Sequence, residues 1–251
     1  MNKIYNEKNI DTMDRMESKS IDLVVTSPPY NIIRPNSTDR GYDLYKDGMS
    51  NEEYIDWTLQ IFKGFNKVLK KDGIVLYNMS YGTENTTLMS LVVADIIRRS
   101  SFTLADIIVW KKNSATPNNV SHNKMTRIVE YVYVFCRKDE FHTFNCNKKE
   151  LSKRETGQSV YENVFNFITA KNNDASTDLN KATFSTEFVR KLISTYAKDN
   201  SLIYDPFMGT GTTAVACVID GHSYLGSEIS KEQCDYAEKR IKPFTSQLTM
   251  F

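Results

Sequence analysis

Blocks of apolar and polar residues follow one another along this chain and predict strands and helices in turn. Ile21-Asp22-Leu23-Val24-Val25 is a short apolar run of the kind a buried strand makes. Ser50-x-x-Glu53 forms a capping box, after which Tyr54, Trp57, Ile61, Phe65 and Val68 recur at helical spacing until Lys71-Asp72-Gly73 ends the run; this stripe reads as core. A strand over 73–78 follows. Next come a helix over 88–99 with Leu88, Leu91, Val92 and Ile96 inward, a strand over 104–110, and its hairpin partner over 129–136. Toward the C-terminus, Ser185 caps a helix carrying Phe188, Leu192, Ile193 and Tyr196, and 201–204 reads as a strand. A helix over 214–220 and a strand over 224–227 lead to Ser230-x-x-Gln233, which opens a last helix that Pro243 terminates.

Alternating strands and helices imply an α/β fold whose mostly parallel sheet is covered on both faces, with an antiparallel hairpin at one edge. The simplest closure sets the strand over 3–5 beside the strand over 224–227, which brings the two chain ends near each other.

Candidate chemistry begins where the first apolar run stops, at Thr26-Ser27-Pro28-Pro29-Tyr30. An exocyclic amine delocalises its lone pair into the ring it hangs from. It attacks a methyl donor only when acceptors take its hydrogens and let the nitrogen pyramidalise. Ser27 Oγ and the Pro28 carbonyl are such acceptors. The two prolines remove backbone donors and fix the turn, and Tyr30 offers a flat face on which an extruded base can stack.

A second signal lies at 205–213, Asp205-Pro206-Phe207-Met208-Gly209-Thr210-Gly211-Thr212-Thr213, between a strand and a helix. Glycines two apart let a ligand approach backbone amides at a helix N-terminus. Further on, Glu228 stands at the tip of the next strand, where an acid can hold a ribose diol. The extra residues before Gly209 and the lack of a second mononucleotide-binding half disfavour NAD. No Lys follows the glycines, so this is not a Walker A loop.

The ordered pair of motifs, 26–31 near one end and 205–213 near the other, resembles the β group of DNA amino-methyltransferases. The likeness extends over 3–31, 73–80, 107–112, 130–138 and 182–241. It implies a circularly permuted, Rossmann-like SAM methyltransferase that flips a base from double-stranded DNA and moves methyl from S-adenosylmethionine (SAM) to cytosine N4 or adenine N6. On that resemblance Ser27, Pro28, Pro29 and Tyr30 form the amine site. Asp205, Pro206, Phe207, Gly209, Gly211 and Thr212 form the cofactor loop, with Glu228 on the ribose, and Thr183, Phe184 and Ser185 lie at the methionine end. The chain departs from the usual pattern in carrying Asn180-Lys181 for His-Pro and Lys8 for an Asp. Ser27 at the first motif position favours cytosine N4, with adenine N6 as the alternative. The resemblance also admits a cognate restriction endonuclease as a partner. The expected organisation is 1–138 as the catalytic half, 139–181 as a small target-recognition insertion, and 182–251 as the SAM-binding half of the same domain.

Composition agrees with this picture. With 251 residues, 40% of them hydrophobic, the chain buries a full core. No apolar run approaches membrane-spanning length, and no charged-then-apolar leader precedes the first strand. Cys136, Cys146, Cys217 and Cys234 show no close pairing, so neither a metal site nor a disulfide framework is expected, and a cytoplasmic setting follows. Net charge is only +1, yet 111–154 holds ten basic side chains against four acidic ones. Lys148, Lys149, Lys153, Arg154, Lys124 and Arg127 are the candidates there for phosphate contact. The polar stretch 31–48 reads as a flap over the flipped base. Two further readings stay open: methylation of RNA or protein glutamine, whose enzymes place the cofactor loop first, and a SAM- or DNA-binding protein without activity.

Overall fold

The computed structural model describes residues 2–31, 48–80, 85–114, 122, 125–171, 174 and 183–248, with 246–248 described by backbone only. Along the chain run β1 (Lys3–Tyr5), α1 (Asn9–Arg15), β2 (Ile21–Thr26), α2 (Asn51–Val68), β3 (Leu69–Met79), α3 (Leu88–Arg99), β4 (Phe102–Lys112) and β5 (Val129–Arg137). They are followed by β6 (Glu150–Lys153), β7 (Ser159–Tyr161), β8 (Phe167–Ala170), α4 (Thr186–Tyr196), β9 (Leu202–Asp205), α5 (Thr212–Ile219), β10 (Ser223–Ser227) and α6 (Lys231–Leu248).

Eight strands form one sheet in the order β1-β10-β9-β2-β3-β5-β4-β8, and only the pairings of β5 are antiparallel. The expected closure is present: Lys3, Ile4 and Tyr5 pair with Leu225, Gly226 and Ser227. β9 then pairs with β2, which places the strand before the glycine loop directly beside the strand before Ser27. Alternation along the central strands divides the core into two layers. Leu23, Val25, Ile74 and Leu76 pack with α4 and α5, while Val24, Val75 and Tyr77 pack with α1, α2 and α3.

Several local expectations are corrected. β3 begins at Leu69, not 73, because Lys70 to Gly73 is absorbed as a bulge: Ile21 faces Leu69 and Leu23 faces Ile74. The left-handed residue in that bulge is Asp72 (φ 59°), an amino acid that tolerates the conformation. Along α3 the inward residues are Leu88, Val92, Val93 and Ile96; Leu91 is exposed, since the stripe centred on 88, 92 and 96 turns position 91 outward. Pro243 does not end α6, which continues to Leu248 while Ile241 and Phe244 hold the turn around it against the core. The hairpin β4–β5 is not the sheet's outermost pair. β8, drawn from the segment expected to be an insertion, adds in parallel to β4 and takes the edge.

Within that segment, residues 150–161 form the separate two-stranded ribbon β6–β7. Asn147 ties the ribbon's start to the last turn of α4, its amide nitrogen donating to the Ser194 and Ala197 carbonyls. Asn145 and Asn147 border the same small hollow as Asp22 and Ser201, so this anchor lies at the amino edge of the parallel strands. Among the described residues, no helix is long and apolar enough to cross a membrane.

Candidate active site

Crevices in open parallel sheets form at the carboxyl ends of the strands, and one of about 520 Å³ lies there. It is bordered by the segment after β1, the catalytic turn after β2, the loop 206–210 after β9 and the residues following β10. Ser27 and Pro29 share this space with Asp205, Pro206, Phe207, Gly209, Thr210, Thr212 and Glu228, and with Thr183 and Phe184. Two motifs separated by most of the chain therefore face one cavity. Trp57 and Phe207 make an aromatic wall, ring centroids 5.5 Å apart. The Thr183 and Thr210 hydroxyls are buried without a partner among the described residues, which leaves two hydrogen-bonding groups for a polar ligand.

Glu228 follows β10 and binds backbone with both oxygens: Gly209 N donates to Oε2 (2.9 Å) and Ser230 N to Oε1 (2.8 Å). Burial pushes its carboxyl above the ordinary range, and these backbone donors oppose the rise. Asp205 is fully enclosed and ties loops together. Its Oδ1 accepts from Thr26 Oγ1 (2.8 Å) and Phe207 N (3.0 Å), and its Oδ2 from Thr213 Oγ1 (2.6 Å). Thr26 directly precedes Ser27, so one carboxylate locks the catalytic turn to the cofactor loop. Desolvation raises this carboxyl to about 6 despite the three donors.

Three expected cofactor residues have roles within the protein itself. Gly211 takes φ +83° at the start of α5, and a Cβ there would lie 2.8 Å from Ala237 Cβ of α6, so helix packing by itself requires a glycine at this position. Ser185 is fully buried; its Oγ caps α4 by accepting Phe188 N at 3.2 Å, and it does not line the crevice. Asp205 borders the crevice, but its oxygens are engaged within the protein as described. Conversely, sequence reasoning misses Trp57, Asn9, Gln60 and Gln233, all of which line the crevice. Helical spacing alone puts Trp57 in the core stripe of α2, whose other members Tyr54, Ile61, Phe65 and Val68 are buried. A tryptophan at the rim of such a stripe is the available signal.

At the amine site, the Tyr54 hydroxyl donates to the Pro29 carbonyl (2.6 Å). Ser27 Oγ lies 3.0 Å from Tyr30 Oη, and Tyr30 Oη donates to Glu130 Oε2 (3.1 Å). Asn78 Nδ2 donates to Tyr30 Oη (2.8 Å), Glu130 Oε2 (3.0 Å) and, more weakly, Ser27 Oγ (3.3 Å). Lys112 pairs with the other Glu130 oxygen. Tyr30 is thus tethered at its hydroxyl rather than being a ring alone. Asn78 and Glu130 also escape sequence reasoning; a buried Asn closing an apolar strand is the clue. Asn31 accepts from Gly48 N and Met49 N and so clips together the two ends of the expected flap, whose body, 32–47, lies outside the described residues.

The basic candidates separate into different places. Lys148, Lys149, Lys153 and Arg154 are exposed on the β6–β7 ribbon and its approach, which is anchored at the amino edge. Arg127 is half-buried just before β5, whose start lies at the carboxyl edge beside the end of β4; Lys124 lies outside the described residues. Two other positive residues of the stretch are spent inside the fold. Arg137 donates to the Asn66, Leu69 and Lys70 carbonyls where α2 passes into β3, and Lys112 is the partner of Glu130.

The chain is 27% identical over 256 residues to the orphan methyltransferase M.BamHII of Bacillus amyloliquefaciens, covering 90% of each chain. In structure it resembles the cytosine-N4-specific PvuII DNA methyltransferase (TM-score 0.74, 18% identity, 98% of this chain and 92% of that one). It also resembles M1.HpyAVI solved as a complex with SAM (TM-score 0.64, 20% identity, 96% and 100%). The DNA methylase model for N6 and N4 enzymes matches residues 21–239, from the first residue of β2 well into α6, and the chain belongs to that family.

Proposed function

We propose that this DNA methylase transfers methyl from SAM to the exocyclic amine of a base flipped out of duplex DNA, with cytosine N4 as the target. The observation that carries the reading is the shared crevice, in which Ser27 and Pro29 face the loop 206–210 and Glu228. The residues present fit SAM: the Trp57–Phe207 wall suits an adenine ring, Glu228 a ribose diol, and the unpartnered Thr183 and Thr210 hydroxyls a polar methionine end. SAM, when bound, supplies a methyl group on a sulfonium that departs as a neutral thioether. Ser27 Oγ and the Pro28 carbonyl take the two amine hydrogens, which frees the nitrogen lone pair for attack.

For the target base, the serine at the first motif position and the cytosine-N4 specificity of the PvuII enzyme both favour cytosine. Lys148, Lys149, Lys153 and Arg154 are proposed to contact phosphates, with Arg127 doing so nearer the crevice. A cognate restriction endonuclease and a cytoplasmic setting belong to the same reading, as does a target-recognition role for 139–181. Incubation with SAM and duplex DNA, followed by digestion to nucleosides and mass spectrometry, tests the target. N4-methylcytosine is the expected product. N6-methyladenine alone would overturn the choice of base, and no methylated nucleoside would overturn the activity on DNA.

A further inference from the structure

We propose that Glu130 fixes the direction of the hydroxyl chain ending at Ser27 and receives the proton that the methylated amine sheds. The inference rests on the amino-methyl transfer proposed above and gives a role to a residue outside both motifs. Glu130 stands at the start of β5, its side chain 13% exposed. One of its oxygens is met by Lys112 from β4, the other by Tyr30 Oη and Asn78 Nδ2; among the described residues, Lys112 and Tyr30 are the titratable groups contacting it.

An ionised carboxylate only accepts hydrogen bonds. Tyr30 has one phenolic hydrogen, and Glu130 takes it. The 3.0 Å contact between Tyr30 and Ser27 must then use the serine hydrogen, so Ser27 turns an oxygen lone pair, not its hydrogen, toward an incoming amine. Asn78 supports the same polarity. Reversing its amide would set Oδ1 against the Glu130 carboxylate. With Nδ2 placed there instead, Oδ1 is left buried without a donor among the described residues, and Asn78 is only 3% exposed. A buried acceptor lacking a donor is costly, which points to an arriving N–H group.

During transfer the N–C bond forms and the C–S bond breaks, leaving a positive charge on the amine nitrogen. One N–H bond of that nitrogen then breaks. Its proton passes to Ser27 Oγ as the serine proton moves to Tyr30 Oη and the tyrosine proton to Glu130, which ends as a neutral acid and returns the proton to solvent. Glu130 is therefore a positioning residue and proton sink that acts through Tyr30.

Single-turnover methyl transfer with SAM and duplex DNA tests this in Glu130→Gln, Tyr30→Phe and the double variant. Glutamine keeps the shape but cannot take a proton, and phenylalanine keeps the ring but breaks the chain. Each should slow transfer by about 10²-fold, with dissociation constants for SAM and duplex unchanged, and the double variant should be no slower than the slower single one. Parental rates in either single variant, a multiplied loss in the double, or a loss residing in binding would each overturn the proposal. A parent protein that methylates neither cytosine nor adenine would instead remove the amino-methyl reading, and this inference with it.

Discussion

The carboxyl-edge crevice and the basic β6–β7 ribbon are both candidate sites, yet they are built in opposite ways. Around the crevice, residues distant in the chain converge on shared partners. Thr26 and Thr213 meet on Asp205, and Tyr30, Asn78 and Lys112 meet on Glu130. On the ribbon, Lys148, Lys149, Lys153 and Arg154 are exposed, and the anchor at Asn147 lies at the other edge of the sheet. Buried polar groups persist only where partners are arranged for them, so convergence in the crevice signals chemistry. Exposed lysines need no partner, and their number says little about where a polyanion sits.

The sharpest way to break this contrast is Ser27→Ala. Loss of one acceptor in the transition state should lower the single-turnover rate by the equivalent of about 2–4 kcal/mol while leaving SAM affinity intact. A variant as fast as its parent would show that the convergence around Ser27 has no catalytic meaning.

The Asp205 tie predicts a pH signature of nearly the same size. Its carboxyl is raised to about 6 in the fold, whereas in the unfolded chain it sits near 4. Between those values the folded state holds the extra proton, so stability falls as pH rises from about 4 to about 6, by up to about 3 kcal/mol. Chemical denaturation of the parent and of Asp205→Asn across that window should show the fall in the parent and a flatter profile in the variant. Equal slopes would mean that the three donors hold the carboxyl at its ordinary value.

Gly211→Ala separates packing from ligand approach. With φ +83° and the Ala237 contact, it should cost about 1–3 kcal/mol in unfolding. A drop confined to SAM affinity, with stability unchanged, would restore the ligand-approach explanation. The smallest effect per residue is expected on the ribbon. Neutralising Lys148, Lys149, Lys153 and Arg154 should lower the salt dependence of DNA affinity by about one unit of slope for each phosphate that no longer meets a cation, without altering SAM binding. A slope equal to the parent's would make the ribbon a solvated face and shift DNA binding toward Arg127.

Local features fixed the alternation of strands and helices, the capping by Ser50 and Ser185, and the two motifs with their order, because periodicity and turn chemistry depend on neighbours a few residues apart. The pairing of β1 with β10 was legible too, since the motif order leaves few ways to close the sheet. Only the tertiary structure could show that Asn78 and Glu130, 52 positions apart, share a hydrogen bond, or that Asp205 reaches Thr26 across 179 positions. It alone assigned Gly211 to the contact with Ala237, moved Trp57 from core to crevice wall, and consumed Arg137 and Lys112 inside the fold. The physical reason is common to all of these. Whether a polar group is buried, paired or free depends on which distant strand the sheet sets beside it, and sequence spacing carries no trace of that neighbour.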